Sequence, residues 1–406
     1  MVNRPPNDFL KLLHRVIASG EEKMDAARRG VSRKLGTNPP RQIAAYHGYA
    51  DPAAIHVSGR VLSNKPRGGP LDDDGWWENL VNTYRRWESD EVVGAKVTLR
   101  FGEHEQSVVT DEEGYYRAKF PAISSKERQL VWSVVSARTE GEDGEIHGTH
   151  EIMVPPREAS FGIISDLDDT VIHTGITSIL LAAKLTFLEN AKTRKPLEGV
   201  AELYDALQRG HVNTPHNPLF YISSSPWNLH DLLVDFLQLN EIPVGPLLLR
   251  DVGLDRTKFI KEKGHGHKLE KALGLMDAYP HLPFVLIGDS GQEDPAIYAE
   301  VTRLRPGRTK AIYIRDIDPD METHLDEVVA RAMEIAAASG VPMLPARDSR
   351  AISEHARELG LIPGSALGKV SAEVAADKAR PETGEQALKD AVESVFPEGA
   401  VDSPGK

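Results

Sequence analysis

The sequence predicts an α/β protein, a doubly wound parallel sheet preceded by a small all-β sandwich. Three observations carry that reading. Apolar strand-like runs alternate with helical stretches from Phe161 to Ile317, as in parallel strands joined by helical crossovers. Upstream, Ile43 to Pro156 breaks into short β-type runs between turn signals. Pro39-Pro40 and Pro155-Pro156 punctuate the two boundaries. The expected organisation is therefore a basic amphipathic helical segment over 1–39 and a β-sandwich over 40–156. A catalytic α/β domain over 157–362 and a mobile tail over 363–406 complete it.

Composition narrows the function classes. The 406 residues are 40% hydrophobic and 27% charged, as in an ordinary globular protein. A formal net charge of −13 argues against nucleic acid as a partner, since phosphate neutralisation needs the opposite sign. The absence of cysteine excludes disulfides, thiolate metal sites and cysteine nucleophiles, and fits a reducing compartment. The longest apolar stretch, Ile176 to Leu188, is interrupted by Thr177, Ser178 and Lys184, so no segment reads as a transmembrane helix. The N-terminus has no secretory apolar region, and a cytoplasmic protein is expected.

Residues 1–39 open with Pro5-Pro6-Asn7-Asp8, a helix start, followed by Phe9, Leu10, Leu12, Leu13, Val16 and Ile17 on one stripe. From Met1 to Arg41 there are nine Lys/Arg against four acids, about +5 in an acidic chain. Such a stripe suits packing on its own domain or a partner subunit better than a membrane surface, although a basic amphipathic helix can also bind anionic lipid. Peripheral membrane contact is thus a secondary expectation.

Within the second region, Ile55–Leu62, Lys96–Phe101, Ser107–Thr110, Tyr115–Phe120 and Leu130–Ala137 read as strands, with Asp111-Glu112-Glu113-Gly114 as a hairpin turn. These runs resemble small prealbumin-like β-sandwich modules, which implies a fold and no chemistry. Trp76, Trp77, Tyr84 and Trp87 lie between the first two strands and suit a core or interface cover better than a carbohydrate or lipid platform.

The third region holds the reactive groups. Phe161–Ser165, Leu219–Ser223, Val244–Leu249, Phe284–Ile287 and Lys310–Ile314 are the expected strands, and polar residues gather at their carboxyl ends. The first end reads Asp166-Leu167-Asp168-Asp169-Thr170. One carboxylate there can attack phosphorus and its neighbour two residues on can handle protons, though a plain cation loop has the same composition. At the second end, Ser223 is the expected phosphate contact and Ser224 the substitute, the competing role being a helix cap. Lys268 opens a helix and can neutralise both nucleophile and phosphoryl group, a role it fits better than Lys263 or Lys271. His265 and His267 make a weak zinc pair in a glycine loop. At the fourth end, Asp289 can help complete an oxygen shell around Mg²⁺, and Asp294 can orient water or the lysine. Gly288-Asp289-Ser290-Gly291 also spells the surroundings of a trypsin-like serine. The cysteine-free α/β context rejects that reading.

In order and spacing, Asp166-x-Asp168-x-Thr170, Ser223, Lys268 and Gly288-Asp289 with Asp294 resemble the four motifs of the haloacid dehalogenase (HAD) superfamily. The resemblance implies a HAD-like Rossmannoid fold with Asp166 as nucleophile and Asp168 as acid/base. It implies Ser223 and Thr170 on the substrate side, Lys268 as charge stabiliser and Asp294 as a supporting acid. The implied Mg²⁺ ligands are the side chains of Asp166 and Asp289 and the main-chain carbonyl of Asp168. More narrowly, "SDLDDTVIHTGI", "FYISSSPWNL", "GPLLLRDVG", "KGHGHKLEKA" and "FVLIGDSGQEDPAIY" resemble the catalytic domain of the actin-patch phosphatidate phosphatase family, its bacterial relatives especially. That likeness implies hydrolysis of phosphatidate to diacylglycerol. The stretch from His173 to Pro218 has 46 residues and reads mostly as helices, too short for a large separate cap, which suits a bulky or interface-bound substrate. Two other readings remain open at this point: a phosphatase for a small phosphomonoester, and an inactive lipid- or polysaccharide-binding protein. The sequence does not indicate an oligomeric state.

Overall fold

The computed structural model describes residues 41–63, 90–123, 129–141, 144–167, 198–212, 214–250, 265–316 and 324–379. The expected N-terminal helix, the Trp76–Trp87 cluster, Asp168, Asp169, Thr170 and the Ile176–Leu188 stretch lie outside these residues.

Nine strands build the first region: β1 (Arg41–Ala45), β2 (Gly48–Ala50), β3 (Ala54–Ser63), β4 (Asp90–Glu91), β5 (Lys96–Phe101), β6 (His104–Val109), β7 (Tyr115–Pro121), β8 (Val131–Gly141) and β9 (Gly144–Val154). They form one sheet in the order β1-β3-β2-β9-β8-β5-β6, with β4 and β7 also paired to β3. Every pairing is antiparallel except β2 with β9. Alternation in β7 turns Tyr116, Ala118 and Phe120 inward, where they join Ile55 and Val57 of β3, Leu99 of β5 and Val135 of β8 in one apolar cluster. All five strands expected from the sequence are present.

The second region alternates strand and helix: β10 (Gly162–Asp166), α1 (Val200–Arg209), β11 (Leu219–Pro226), a 3₁₀ turn (Trp227–Leu229), α2 (His230–Leu239), β12 (Leu247–Arg250) and α3 (His265–Ala278). It continues through β13 (Phe284–Asp289), α4 (Asp294–Leu304), β14 (Thr309–Arg315), α5 (His324–Ala338), β15 (Met343–Ala346), α6 (Ser349–Glu358) and α7 (Ala366–Ala379). The six strands are all parallel, in the order β12-β11-β10-β13-β14-β15. Parallel strands covered on both faces need apolar residues at nearly every position. Accordingly Ile163, Tyr221, Val285 and Ile287 enter one cluster with α1, α2, α6 and α7, while Ile164, Phe220, Ile222 and Leu286 enter another with α3, α4 and α5.

From β10 the chain proceeds outward through β11 and β12, then returns to β13 on the other side and continues to β15. The reversal leaves a crevice at the carboxyl ends of β10 and β13, where open α/β sheets bind ligands. Helix α7 lies inside the stretch expected to be a mobile tail. Ala366, Val370 and Val374 repeat every four residues and are buried in the core. Its small side chains make a faint apolar signal, which the surrounding Ala, Glu and Lys conceal.

The two sheets' regions also pack against each other. Tyr46 stacks on Trp227 at 4.4 Å between ring centroids, Tyr279 donates to the Ala50 carbonyl at 2.8 Å, and Leu130 and Met153 join the α3–α5 cluster.

Candidate active site

Asp166 is the last residue of β10 and fully buried. Its backbone is held from within the domain. Ser165 Oγ donates to the Asp166 carbonyl at 2.6 Å and lies 2.6 Å from the Tyr204 hydroxyl on α1. At the end of β11 the register against β12 shifts between Ile222 and Pro226, an irregularity that sheets use to re-aim side chains beside a site. Ser223 is fully buried there and accepts the Ser225 amide on Oγ at 2.9 Å, whereas Ser224 is exposed.

Lys268 projects from the first turn of α3 and is 4% exposed. Its Nζ lies 2.7 Å from Asp166 Oδ1 and 2.7 Å from Asp294 Oδ1, and donates to Gln292 Oε1 at 3.1 Å. Burial disfavours the ammonium, but Asp294 and Asp166 outweigh it and hold Lys268 well above the ordinary lysine range. The preceding His267 is pushed down to about 4 by burial and by repulsion from Lys271, Arg250 and Lys268, so it is neutral at neutral pH.

Asp289 ends β13 beside Asp166, and Asp294 begins α4; both are fully buried. Gly288 makes their approach feasible. A Cβ there would lie 2.6 Å from Asp294 Oδ2 and 2.8 Å from the Tyr298 ring, closer than side chains tolerate. Arg315, at the end of β14 in register with Asp289, pairs with Glu198 at 3.1 Å, and its carbonyl accepts the Ser290 amide.

One carboxylate oxygen from each of Asp166, Asp289 and Asp294 lies within 4.8 Å of the others. Among the described residues these three buried carboxylates face one ammonium, that of Lys268, an excess of negative charge that favours a further cation. The donors are all oxygen, the preference of a hard divalent ion such as Mg²⁺. Asp294 Oδ1 accepts from Lys268, and its Oδ2 accepts the Asp289 amide at a long 3.4 Å. The donor set of Asp166, Asp289 and Asp294 thus fits a divalent cation.

Of the residues singled out in sequence, Asp166, Ser223, Lys268, Asp289 and Asp294 converge at the strand ends, and Ser224 does not face inward. Asp168 and Thr170 lie outside the described residues. Gln292, Ser165 with Tyr204, and Arg315 with Glu198 were not anticipated. Only Gln292 had a sequence signal, since it lies two residues before Asp294.

Residues 161–316 match the family model described as the catalytic domain of phosphatidate phosphatase APP1. Phosphatidate phosphatase APP1 of Saccharomyces cerevisiae is 28% identical over 186 residues, 45% of this chain and 31% of the yeast protein. An uncharacterized protein of Schizosaccharomyces pombe is 28% identical over 253 residues, 60% of this chain and 41% of its own length. The chain therefore spans well under half of the curated relatives it matches. Among solved structures, a carbohydrate acetylesterase from Xanthomonas citri aligns over 72% of each chain at 11% identity and a TM-score of 0.25, too low to carry an argument. From Phe161 to Asp316, then, the chain is similar to the catalytic domain of phosphatidate phosphatase APP1.

Proposed function

We infer that this protein is a Mg²⁺-dependent phosphomonoester hydrolase working through an aspartyl phosphate, with phosphatidate as substrate and diacylglycerol as product. The observation that carries the reading is Lys268, 2.7 Å from both Asp166 and Asp294 at the open end of the parallel sheet, with Asp289 alongside. An ammonium so placed keeps Asp166 an anion, the form a nucleophile requires. The buried Ser223 hydroxyl supports a role in orienting a phosphoryl oxygen.

In this mechanism an Asp166 carboxylate oxygen forms the bond to phosphorus as the ester oxygen departs. Asp168, assigned by the family resemblance, protonates the leaving oxygen and later takes a proton from the water that hydrolyses the acyl phosphate. Lys268 stabilises charge on the phosphoryl oxygens and Asp294 fixes its position. A divalent ion on Asp166 and Asp289 supplies Lewis-acid stabilisation of the phosphoryl charge when bound. Phosphatidate comes from the family match, and peripheral contact with a lipid surface goes with that substrate; among the described residues no helix is long and apolar enough to cross a membrane.

The test is phosphate release from phosphatidate in mixed micelles and from p-nitrophenyl phosphate, with and without Mg²⁺, for the parent and Asp166→Asn. Release from both substrates that requires Mg²⁺ and disappears in the variant supports the phosphatase, and preference for phosphatidate supports the lipid. Turnover of the small ester alone would remove phosphatidate. No turnover of either by folded, Mg²⁺-loaded protein would overturn the enzyme reading in favour of a binding protein.

A further inference from the structure

Ser165 is a polar residue in an apolar place. It is fully buried in β10, one residue before Asp166, and its partners in register are Tyr221 of β11 and Ile287 of β13. Ile163, two residues earlier and on the same face, packs into the apolar cluster that the sheet shares with α1. A hydroxyl buried there costs free energy unless it is hydrogen-bonded, and replacing a bonded pair by apolar groups of the same shape is nearly neutral. Stability alone therefore gives no reason for serine rather than valine at 165, nor for tyrosine rather than phenylalanine at the facing position 204.

The two hydrogen bonds run in one direction. The Asp166 carbonyl can only accept, so the single Ser165 hydroxyl proton is directed to it, at 2.6 Å. The Tyr204 hydroxyl, 2.6 Å from Ser165 Oγ, is then the donor to that oxygen. Both contacts are at the short end for O–H···O bonds. The helix that carries Tyr204 is itself anchored. At the start of α1, Asp377 of α7 accepts the Gly199 amide and Glu373 of α7 accepts the Glu202 amide, each at 2.9 Å. Just ahead of the helix, Glu198 pairs at 3.1 Å with Arg315, whose backbone is in register with Asp289. One helix is thereby tied to the carboxyl ends of β10 and β14, the strands on either side of β13 and its Asp289.

We propose that Tyr204 is a positioning residue for phosphoryl transfer, orienting Asp166 through Ser165. The inference rests on the reading of Asp166 as the nucleophile. Holding the Asp166 carbonyl fixes the plane of the 166–167 peptide, and with it the backbone that aims the carboxylate between Lys268 and Asp289. Without that hold the carboxylate is free to swing by a fraction of an ångström, a scale on which attack geometry already governs rate.

The test is steady-state turnover of p-nitrophenyl phosphate at saturating Mg²⁺ by full-length parent, Asp166→Asn, Tyr204→Phe, Ser165→Ala, the Ser165→Ala/Tyr204→Phe double variant and Tyr221→Phe. Tyr221→Phe is the control for a merely structural loss. Its hydroxyl belongs to the same apolar cluster but donates to the Pro243 carbonyl, at 2.7 Å, in the connection between α2 and β12. The expected result is a kcat that falls roughly tenfold in Tyr204→Phe with KM nearly unchanged. In Tyr221→Phe kcat stays at the parent value, although both substitutions lower the melting temperature. Ser165→Ala loses at least as much kcat as Tyr204→Phe, and adding Tyr204→Phe to it costs nothing more, because the tyrosine acts only through the serine. The comparison of Tyr204→Phe with Tyr221→Phe decides the matter if Ser165→Ala does not fold. Equal kcat in those two variants, or additive losses in the double variant, overturns the inference while Asp166→Asn remains inactive. Turnover absent from the parent, or undiminished in Asp166→Asn, removes the nucleophile itself and the inference with it.

Discussion

Replacing Lys268 with Met removes the one ammonium that, among the described residues, touches the buried carboxylates, while keeping most of the side-chain volume. Each 2.7 Å contact, to Asp166 and to Asp294, is a gross attraction of about 6 kcal/mol at an effective dielectric near 20. Desolvating the ions offsets much of that sum, and breaking a buried pair from one side costs about 3–5 kcal/mol net. Against a total stability of about 5–15 kcal/mol, that is a large loss. Urea unfolding in EDTA at pH 7.5 reads it as a fall in the midpoint of the α/β domain. Added Mg²⁺ should recover part of the loss by occupying the same field. A variant within ~0.5 kcal/mol of the parent at pH 7.5 without metal, well inside the expected cost, would refute this electrostatic account.

Gly288→Ala should cost about 1–3 kcal/mol and most of the phosphatase turnover, because its Cβ meets Asp294 and Tyr298. Gly274→Ala, in α3 with nothing within 4 Å, should instead stabilise by up to ~1 kcal/mol, and the two melting temperatures check the contrast. His150 is fully buried between the Tyr116 hydroxyl and the Tyr46 carbonyl, and burial pushes it down to about 4. Its folded value lies below its unfolded one, so its contribution is complete above about pH 6.5 and is lost as the pH falls toward 4, by about 3 kcal/mol. Urea midpoints from pH 7 to 4 should follow that fall, and His150→Gln should flatten it. Asp377 on α7 accepts the Gly199 amide at the start of α1 at 2.9 Å; Asp377→Ala should cost about 1–2 kcal/mol in the same assay.

Much of the α/β half was legible because its strands are continuous apolar runs ending in polar residues. The run before Asp166 and the run before Asp289 each end on a buried aspartate. The β half was read less completely. Strand β9 places Gly148 and His150 at positions where an inward-facing strand normally shows aliphatic residues, so its alternation is hidden. Short β1, β2 and β15 offer too few residues for a period to appear. Residue types and spacing singled out Asp166, Ser223, Lys268, Asp289 and Asp294, which the fold brings together, buried, at the strand ends. The bridge from Lys268 to Asp294 crosses 26 positions and is set by how α3 and α4 dock on the sheet, which no local pattern encodes. The same holds for Arg315 and Glu198, 117 residues apart.

The most direct test of the central claim is chemical capture of the covalent intermediate. Protein turning over p-nitrophenyl phosphate with Mg²⁺ is quenched and reduced with borohydride, which converts a phosphorylated aspartate to homoserine, and the peptides are read by mass spectrometry. The expected result is homoserine at position 166 alone, requiring both substrate and Mg²⁺. Steady turnover with no modification at Asp166, or undiminished turnover by Asp166→Asn, would contradict it.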